Sequence, residues 1–338
     1  MDPRLKNLKV MYHLTSPPPV IPGTDAVFQE IDAISKEVNG EYVQLFPLKR
    51  PTVLFPKPLY GWHQYSRIRN AQYQVDVHHI FYATLYAFPI LNTFKSPLVY
   101  SVVAGLPPGP RPSLPVSLHT IVISNERDRK QLDDWGITNY RVIRPGVDLG
   151  RFTYAPPAAG RKFVLLVGSA PWTRAQFRQK GIDALLDLAA DEQDLELVFL
   201  WRGLLSRELR RRIARRSLGN RTRIINEPAN VNEVLAQVHA TVVLADSAKL
   251  IKAYPHSLME SLAAGKPVLI SDCIPMADHV RKFECGQVVS GTDLDSLRTA
   301  VGQLRARYDS AQRATTSARE AFDLQRMLAE YRDLYVTI

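Results

Sequence analysis

Cysteine is scarce in this sequence, and several other features that would point to a particular class of protein are absent. Cys273 and Cys285 are the only cysteines, and their spacing fits neither a metal site nor a disulfide framework. No run of about 18 apolar residues occurs, so we expect no membrane-spanning helix. The first 25 residues lack the charged, apolar and cleavage regions of a signal peptide. These absences predict a protein of the reducing cytoplasm.

The composition is that of a globular protein with a basic excess. The chain has 338 residues, of which 46% are hydrophobic and 22% charged, enough for two domains of ordinary size. Lysine and arginine outnumber aspartate and glutamate by 43 to 33, which gives a net charge of +10. This balance favours anionic partners, among them nucleotide sugars, anionic lipid surfaces and nucleic acid.

Much of the basic excess lies in one segment, Arg207–Arg216. Leu205, Leu209 and Ile213 form the apolar stripe of a helix whose other face is arginine. One interpretation is a solvated helix face. The other is a peripheral membrane or nucleic-acid contact, although no aromatic residues alternate with these arginines to stack on bases.

Alternating strand and helix patterns predict an α/β fold in two domains. Ile182, Leu185, Leu186 and Ala189 repeat at helical spacing, and short apolar strands precede and follow them. Such alternation builds parallel sheets with helices on both faces. We predict an N-terminal Rossmann-like domain over residues 1–155, a second over 161–321 and a closing helix over 322–338. Residues 156–160 have the composition of a linker.

The segment 255–271 predicts an anion-binding helix end. Leu258, Leu262 and Ala263 fall at helical spacing, Gly265 and Pro267 end the helix, and a buried strand follows. A helix that begins at Pro255 or His256 exposes its first amides, with Ser257 in the first turn, and such an end attracts phosphate. One turn further along, Glu260 is placed to accept hydrogen bonds from ligand hydroxyls.

At this segment the chain resembles the retaining sugar-nucleotide glycosyltransferases of family 4, whose motif is glutamate, seven residues, glutamate and then Ala-Met-Ala-x-Gly-x-Pro-Val. Residues 260–268 match the second half, whereas Lys252 stands where the first glutamate is expected. Gly146-Val-Asp148, Lys180-Gly181 and the last helix, 322–335, are also similar to that family. The resemblance implies the GT-B fold, with two facing Rossmann-like domains and a C-terminal helix that crosses back to the first.

The resemblance also implies a donor site in the second domain. Lys180, His256 and Ser257 would bind the donor, and Glu260 would bind its ribose. Ser169 replaces the family's diphosphate-binding arginine, so Arg174 or Arg178 would supply the missing charge. In the first domain Gly23 is the one glycine at the turn where the backbone approaches the donor.

Lys252 is the position where the resemblance leaves two interpretations open. The resemblance makes Lys252 and Glu260 the catalytic pair, although a lysine loses the glutamate's acceptor and gains a cation for a phosphate or an acidic sugar. Alternatively the register of this loop is shifted, and Lys249 competes for the role.

On the acceptor side we single out His79 and Trp62. The segment 76–82 resembles the family's strand that ends in a histidine at the cleft, and Trp62 lies in an aromatic, proline-rich segment. For both residues a structural role is the alternative.

The function implied is transfer of a sugar from a nucleotide diphosphate donor to a glycan, lipid or small molecule, with retention and front-face attack. Neither a metal nor another cofactor is expected, and Asp293-Leu-Asp295 is interpreted as a helix cap. The alternatives are a catalytically silent nucleotide-sugar-binding module and a transferase that acts on modified nucleic acid.

Overall fold

The computed structural model describes residues 7–15, 26–47, 55–115, 117–156, 160, 162–201 and 205–338. The chain divides into two compact units. The first comprises Met1–Gly146 with Leu324–Ile338, and the second comprises Val147–Asp323. Among the described residues, no helix is both long and apolar enough to cross a bilayer.

The first unit contains a parallel sheet whose six strands follow the order β2-β1-β3-β4-β5-β6. Its strands are β1 (Lys9–Leu14), β2 (Asn39–Gln44), β3 (Val77–Tyr82), β4 (Leu98–Val102), β5 (Leu118–Ile123) and β6 (Tyr140–Val142). Its helices in sequence order are α1 (Ala26–Ser35), α2 (Tyr65–Ala71) and α3 (Glu126–Asp134), and 3-10 turns cover Lys57–Leu59, Trp62–Gln64 and Pro89–Thr93.

The second unit contains a parallel sheet in the order β12-β11-β10-β7-β8-β9. Its strands are β7 (Phe163–Val167), β8 (Leu195–Leu200), β9 (Thr222–Ile225), β10 (Ala240–Val243), β11 (Val268–Ser271) and β12 (Gly286–Val289). Its helices are α4 (Gln176–Gln179), α5 (Ile182–Asp191), α6 (Ser206–Arg215), α7 (Val231–Ala236), α8 (His256–Ala263), α9 (Met276–Phe283), α10 (Leu294–Ala306) and α11 (Tyr308–Arg319).

The periodicity arguments predicted these elements well. The helix expected over 205–216 runs from Ser206 to Arg215, and the strand expected after Pro267 runs from Val268 to Ser271. The helical repeat 182–189 is buried on one face, as its spacing requires. The interpretation of Asp293 is confirmed, because its side chain accepts a hydrogen bond from the Ser296 amide and caps α10.

The last helix, α12 (Leu324–Val336), packs on the sheet of the first unit. Met327, Tyr331 and Tyr335 are buried in the same apolar cluster as β1 residues Val10 and Tyr12. The helix therefore completes the core of the unit in which the chain begins.

His79 lies in this core, which disagrees with the prediction of a strand-end histidine facing an acceptor. Strand β3 continues three residues beyond it to Tyr82. Its Nδ1 is hydrogen bonded to the Tyr335 hydroxyl at 2.5 Å and its Nε2 to Ser101 Oγ at 2.8 Å. The ring is fully buried and both nitrogens are occupied, so His79 joins β3, β4 and α12 instead of contacting a substrate.

Buried histidines make the stability of the first unit sensitive to acid. His13 Nε2 and His78 Nδ1 are hydrogen bonded at 3.0 Å, and both residues, like His79, are fully buried. Burial lowers the pKa of His78 to about 4 and holds the pKa values of His13 and His79 well below 6.5. All three rings are therefore neutral in the folded protein at neutral pH.

We expect the histidine contribution to the free energy of unfolding to be constant above pH 6.5 and to fall as the pH drops from 6.5 through about 4. In that window the unfolded chain binds protons that the buried rings cannot, and each ring contributes up to about 1.4 kcal/mol per pH unit. Urea titrations at successive pH values measure the slope, and the double variant His13→Gln with His78→Gln is expected to have a shallower one. Equal slopes for the two proteins would contradict this assignment.

Candidate functional site

The strand order of the second unit creates a natural binding position at its sheet edge. From β7 the chain proceeds through β8 and β9 on one side, and then returns to place β10 on the other side of β7. In open parallel sheets, ligands bind outside the carboxyl ends of the strands where the order reverses in this way. The residues that follow Val167 at the end of β7 and Val243 at the end of β10 border this position.

Gly168, the residue after β7, lets the sheet edge approach helix α8 closely. A Cβ atom on Gly168 would lie 2.4 Å from Ser257 Oγ and 2.7 Å from Ser257 Cβ. Any larger residue would therefore push the first turn of α8 away from the strand. This approach brings Ser257 and the Gly168-Ser169 backbone together at the reversal point.

Lys180 directs its amine to the same backbone. Its Nζ donates to Ser169 Oγ at 3.0 Å and to the Ala170 carbonyl at 3.2 Å, and the residue is only 4% exposed. No carboxylate among the described residues pairs with it, and burial lowers its pKa to about 8. A buried cation with two neutral acceptors is incompletely compensated. An anion bound beside Ser169 would supply the missing charge.

The next residue, Gly181, has a φ of +62°, and a Cβ there would meet Leu244 Cδ1 at 2.7 Å. The Asp246 amide donates to the Gln179 carbonyl at 2.8 Å. The loops after β10 and before α5 are therefore fixed against each other, which holds the Lys180 backbone in place.

The N-terminus of α8 has no side-chain cap. Pro255 is the cap residue, and its ring offers no acceptor to the amides of the first turn. The helix carries about half a positive charge at this end. The uncapped amides thus add a second source of positive potential beside Ser257.

His256, the first residue of α8, has a buried ring nitrogen without a partner among the described residues. The unpaired atom is Nε2. Burial, aided by the charge of Lys252, lowers the pKa of His256 to about 3, so the ring is neutral at physiological pH. An unpaired buried nitrogen costs about 1–3 kcal/mol, which a ligand atom would offset.

The two predicted catalytic residues are half-buried near this helix end. Glu260 lies one turn into α8, where the sequence pattern placed it. Lys252 precedes the helix by four residues and is close enough to affect the pKa of His256. Lys249, the competing candidate, is exposed in a 3-10 turn, and its amide is hydrogen bonded to Ser247 Oγ. The position of Lys252 makes it the better candidate of the two.

The other predicted cations are less closely tied to Lys180. Arg174 is exposed in the loop before α4. Arg178 is exposed in α4 and lines a groove with Asp183, Asp246 and Arg211. Neither arginine forms an ion pair among the described residues. Gly23 lies outside the described residues.

Trp62, predicted on the acceptor side, belongs to the first unit and is 43% exposed. Its indole Nε1 donates to the Pro58 carbonyl at 3.1 Å, and its ring lies 5.8 Å from that of Tyr65.

Ion pairs neutralise part of the positive charge of the arginine-rich segment Arg207–Arg216. Arg212 pairs with Asp183 at 2.5 Å and with Glu208 at 2.8 Å, while Arg216 pairs with Asp187 at 2.6 Å. Arg211 also pairs with Glu208. Of the arginines in this segment, only Arg207, Arg210 and Arg215 are exposed without an ion pair to another described residue.

Sequence reasoning missed one contributor to this site, Gly168. The available signal was a glycine directly after a buried strand. This signal is weak, because glycines are common at element ends. No group of three or more His, Cys, Asp or Glu residues in the described ranges is arranged to hold a metal.

The two Rossmann-like units and the final helix define a protein of the GT-B fold, as the sequence predicted. Residues 160–321 match the family model described as "Glycosyl transferases group 1". That match covers the candidate site residues of the second unit and supports a glycosyltransferase. A comparison with curated protein sequences finds no match.

Solved structures with the same fold cover nearly the whole chain at low sequence identity. Anabaena Alr3699/HepE, in complex with UDP and glucose, has a TM-score of 0.71 and 13% identity over 98% of this chain and 100% of that chain. Sucrose-phosphate synthase from Thermosynechococcus elongatus has a TM-score of 0.69 and 13% identity over 98% of each chain. WaaG, described as a glycosyltransferase involved in lipopolysaccharide biosynthesis, has a TM-score of 0.66 and 13% identity over 96% of this chain and 98% of that chain.

Proposed function

We propose that this protein is a retaining glycosyltransferase of family 4 that moves a sugar, a hexose or a related one, from a nucleotide diphosphate donor to a glycan, lipid or small-molecule acceptor. The second unit would bind the donor and the first would shape the acceptor site. The observation that carries the proposal is the buried, uncompensated amine of Lys180, which lies at the reversal point of a parallel sheet. A bound diphosphate would supply the negative charge that compensates this amine.

The chemistry follows from where negative charge develops. As the bond between the sugar and the diphosphate breaks, charge accumulates on the leaving phosphate. The Lys180 ammonium and the uncapped amides of α8 would stabilise that charge without reorganising. Glu260 would bind the ribose, and Ser257 and His256 would donate hydrogen bonds to phosphate oxygens. Attack from the front face would let the leaving diphosphate accept the proton of the acceptor hydroxyl, with no metal or other cofactor.

We expect nucleoside diphosphates to raise the thermal unfolding midpoint. UDP is the first probe, because the HepE structures were solved with UDP or UDP-glucose bound. A ligand at 100 times its Kd stabilises the folded state by about 2.7 kcal/mol, a shift of a few degrees for a chain of this size. GDP, ADP and TDP compared with UDP would identify the base.

Glu260→Ala is expected to weaken binding about tenfold through the lost ribose contact. Glu126→Ala, an exposed glutamate of the first unit, is the matched control and should bind normally. If no nucleoside diphosphate shifts the midpoint at millimolar concentration, the proposal fails.

A catalytically silent nucleotide-binding module is the second candidate, and Lys252 is the observation that favours it. A lysine replaces an acceptor with a cation at the place where the family motif has glutamate. An assay for slow hydrolysis of a bound UDP-sugar distinguishes the transferase from the silent module, because hydrolysis releases UDP, which a phosphate-coupled assay detects. Binding without hydrolysis or transfer to any acceptor would establish the silent module.

A transferase acting on nucleic acid is not favoured by the charges of Arg207–Arg216, because ion pairs occupy three of the six arginines in this segment. A steep fall of DNA affinity with salt concentration would revive this alternative.

A further inference from the structure

The first unit has a strongly uneven charge distribution. Between Tyr42 and Asn125 the only acidic residue is Asp76, which accepts a hydrogen bond from the Lys9 amide at 2.8 Å. The same stretch contains seven basic residues: Lys49, Arg50, Lys57, Arg67, Arg69, Lys95 and Arg111. A segment with many cations and one carboxylate favours anionic partners.

Within this stretch, residues 56–65 form an aromatic turn that exposes apolar side chains. The two 3-10 turns Lys57–Leu59 and Trp62–Gln64 are joined at Gly61, whose φ of +86° reverses the chain. Leu59 is 51% exposed and Trp62 43%, and the flanking Pro56 and Pro58 are exposed as well. Two large apolar side chains exposed three residues apart in one turn make this turn a candidate interaction surface.

The base of the aromatic turn is firmly held. Tyr60 is buried and stacks on Phe88 with ring centroids 5.6 Å apart, and the Gly61 amide donates to the Leu45 carbonyl at 2.8 Å. A Cβ on Gly61 would lie 3.0 Å from Ile90 Cγ2. The exposed side chains therefore project from a fixed support.

Three exposed cations lie in the same turn or in the helix that follows it. Lys57 lies inside the turn, and Arg67 and Arg69 follow it on α2. Arg67 approaches Glu41 only to 3.7 Å, and both side chains are more than half exposed. Arg69 has no ion pair among the described residues. The Lys57 ammonium lies over the rings of Tyr82 and Tyr86, 5.8 and 5.6 Å from their centroids. Tryptophan and leucine near exposed lysine and arginine side chains match the boundary between headgroups and acyl chains of a bilayer.

We propose that the aromatic turn and α2 bind an anionic lipid bilayer. Trp62 and Leu59 would enter the headgroup boundary, and Lys57, Arg67 and Arg69 would contact anionic headgroups. A neutral glycan explains the tryptophan but not the absence of acidic residues. The exposed arginines of α6 offer charge without exposed apolar side chains, so they are the weaker surface. The inference does not depend on the proposed donor site.

Co-sedimentation with vesicles tests the proposal. The full chain is expected to bind vesicles of phosphatidylcholine with about 30% phosphatidylglycerol, and to bind pure phosphatidylcholine at least tenfold more weakly. Trp62→Ser and Leu59→Ser should each weaken binding to the mixed vesicles about fivefold to tenfold. Lys57→Gln and Arg69→Gln should each weaken it about fivefold.

The second unit provides matched controls. Trp172 is 60% exposed, and Trp172→Ser should bind vesicles like the native chain. The same is expected of the triple variant Arg207→Gln, Arg210→Gln and Arg215→Gln. In a Trp172→Phe background, tryptophan emission should shift to the blue with mixed vesicles, and the additional change Trp62→Phe should abolish the shift.

Three results would overturn the proposal. The first is that the native chain fails to sediment with mixed vesicles. The second is that binding survives Trp62→Ser and Leu59→Ser but is lost in the triple arginine variant. The third is that soluble oligosaccharides produce the Trp62 emission shift whereas vesicles do not, which would assign the aromatic turn to a glycan acceptor.

Discussion

Replacing Lys180 with glutamine is expected to lower kcat/KM for sugar transfer by about 100- to 1,000-fold, the usual cost of losing a group that stabilises charge in the transition state. Nucleoside diphosphate affinity should fall in parallel, because the amine would contact the phosphate in the ground state as well. Glutamine is neutral and shorter, so from position 180, directly after α4, it cannot reach a phosphate beside Ser169 or provide a positive charge there. Isothermal titration with UDP and steady-state kinetics measure the two effects.

The same substitution should not destabilise the protein, and this separates a functional role from a structural one. The pKa of Lys180 is lowered to about 8, below the 10.5 of a free lysine. Between these values the unfolded chain binds the proton more readily, so native stability rises as the pH increases from about 8 towards 10.5. Lys180→Gln should reduce that rise. UDP affinity of the native protein should decline above pH 8 as the amine loses its charge.

Lys266 supplies the control. It is fully buried with its pKa also lowered to about 8, but its Nζ donates to the Pro156 carbonyl at 2.5 Å and it follows the C-terminal end of α8. Eight helical residues span about 12 Å, so Lys266 lies far from the uncapped amides. Lys266→Gln should change the pH dependence of stability while leaving UDP binding intact. Equal losses of UDP affinity in both variants would show that burial of a lysine, not its contact with phosphate, determines the effect.

Gly168→Ala is expected to have the second largest effect. A Cβ at this position would lie 2.7 Å from Ser257 Cβ, which cannot move without the first turn of α8. Overpacking of this kind costs about 1–3 kcal/mol. Because a displacement of about 1 Å in a catalytic group can cost 100-fold in rate, UDP binding and turnover should fall more than stability does.

The same steric contact predicts that a second substitution, at Ser257, restores stability. Ser257→Gly removes the two nearest atoms that the new Cβ would meet and leaves Thr241 Cγ2 at 3.4 Å, so the double variant Gly168→Ala with Ser257→Gly should recover most of the lost free energy of unfolding. A double-mutant cycle by urea denaturation measures this coupling, which should exceed about 1 kcal/mol. If the losses in the free energy of unfolding were additive, residues 168 and 257 would not be in contact, which would contradict this geometry of the site.

The periodic segments were predictable because their signals are local. The bounds of α8 follow from helical spacing and from Gly265, whose φ of +75° is the left-handed conformation that ends helices. The cap at Asp293 was equally local, because the bond to the Ser296 amide joins residues three apart. Such features need no knowledge of the distant chain.

His79 shows where local reasoning fails. The sequence indicates a strand, but it does not show that the strand continues to Tyr82 or that Tyr335, 256 residues away, provides the partner for Nδ1. A histidine at the end of a strand and one in its middle read alike when the next residues are also apolar. Only the packing of α12 decides between an exposed and a buried ring.

By itself the sequence determined the α/β class, the order of most strands and helices, and the helix end near Glu260, since spacing along the chain encodes each of these. The tertiary structure alone decided which charges are available. It paired Arg212 and Arg216 with carboxylates and left the buried amine of Lys180 with neutral acceptors. Charge compensation depends on distances between segments far apart in the chain, and residue spacing does not carry that information.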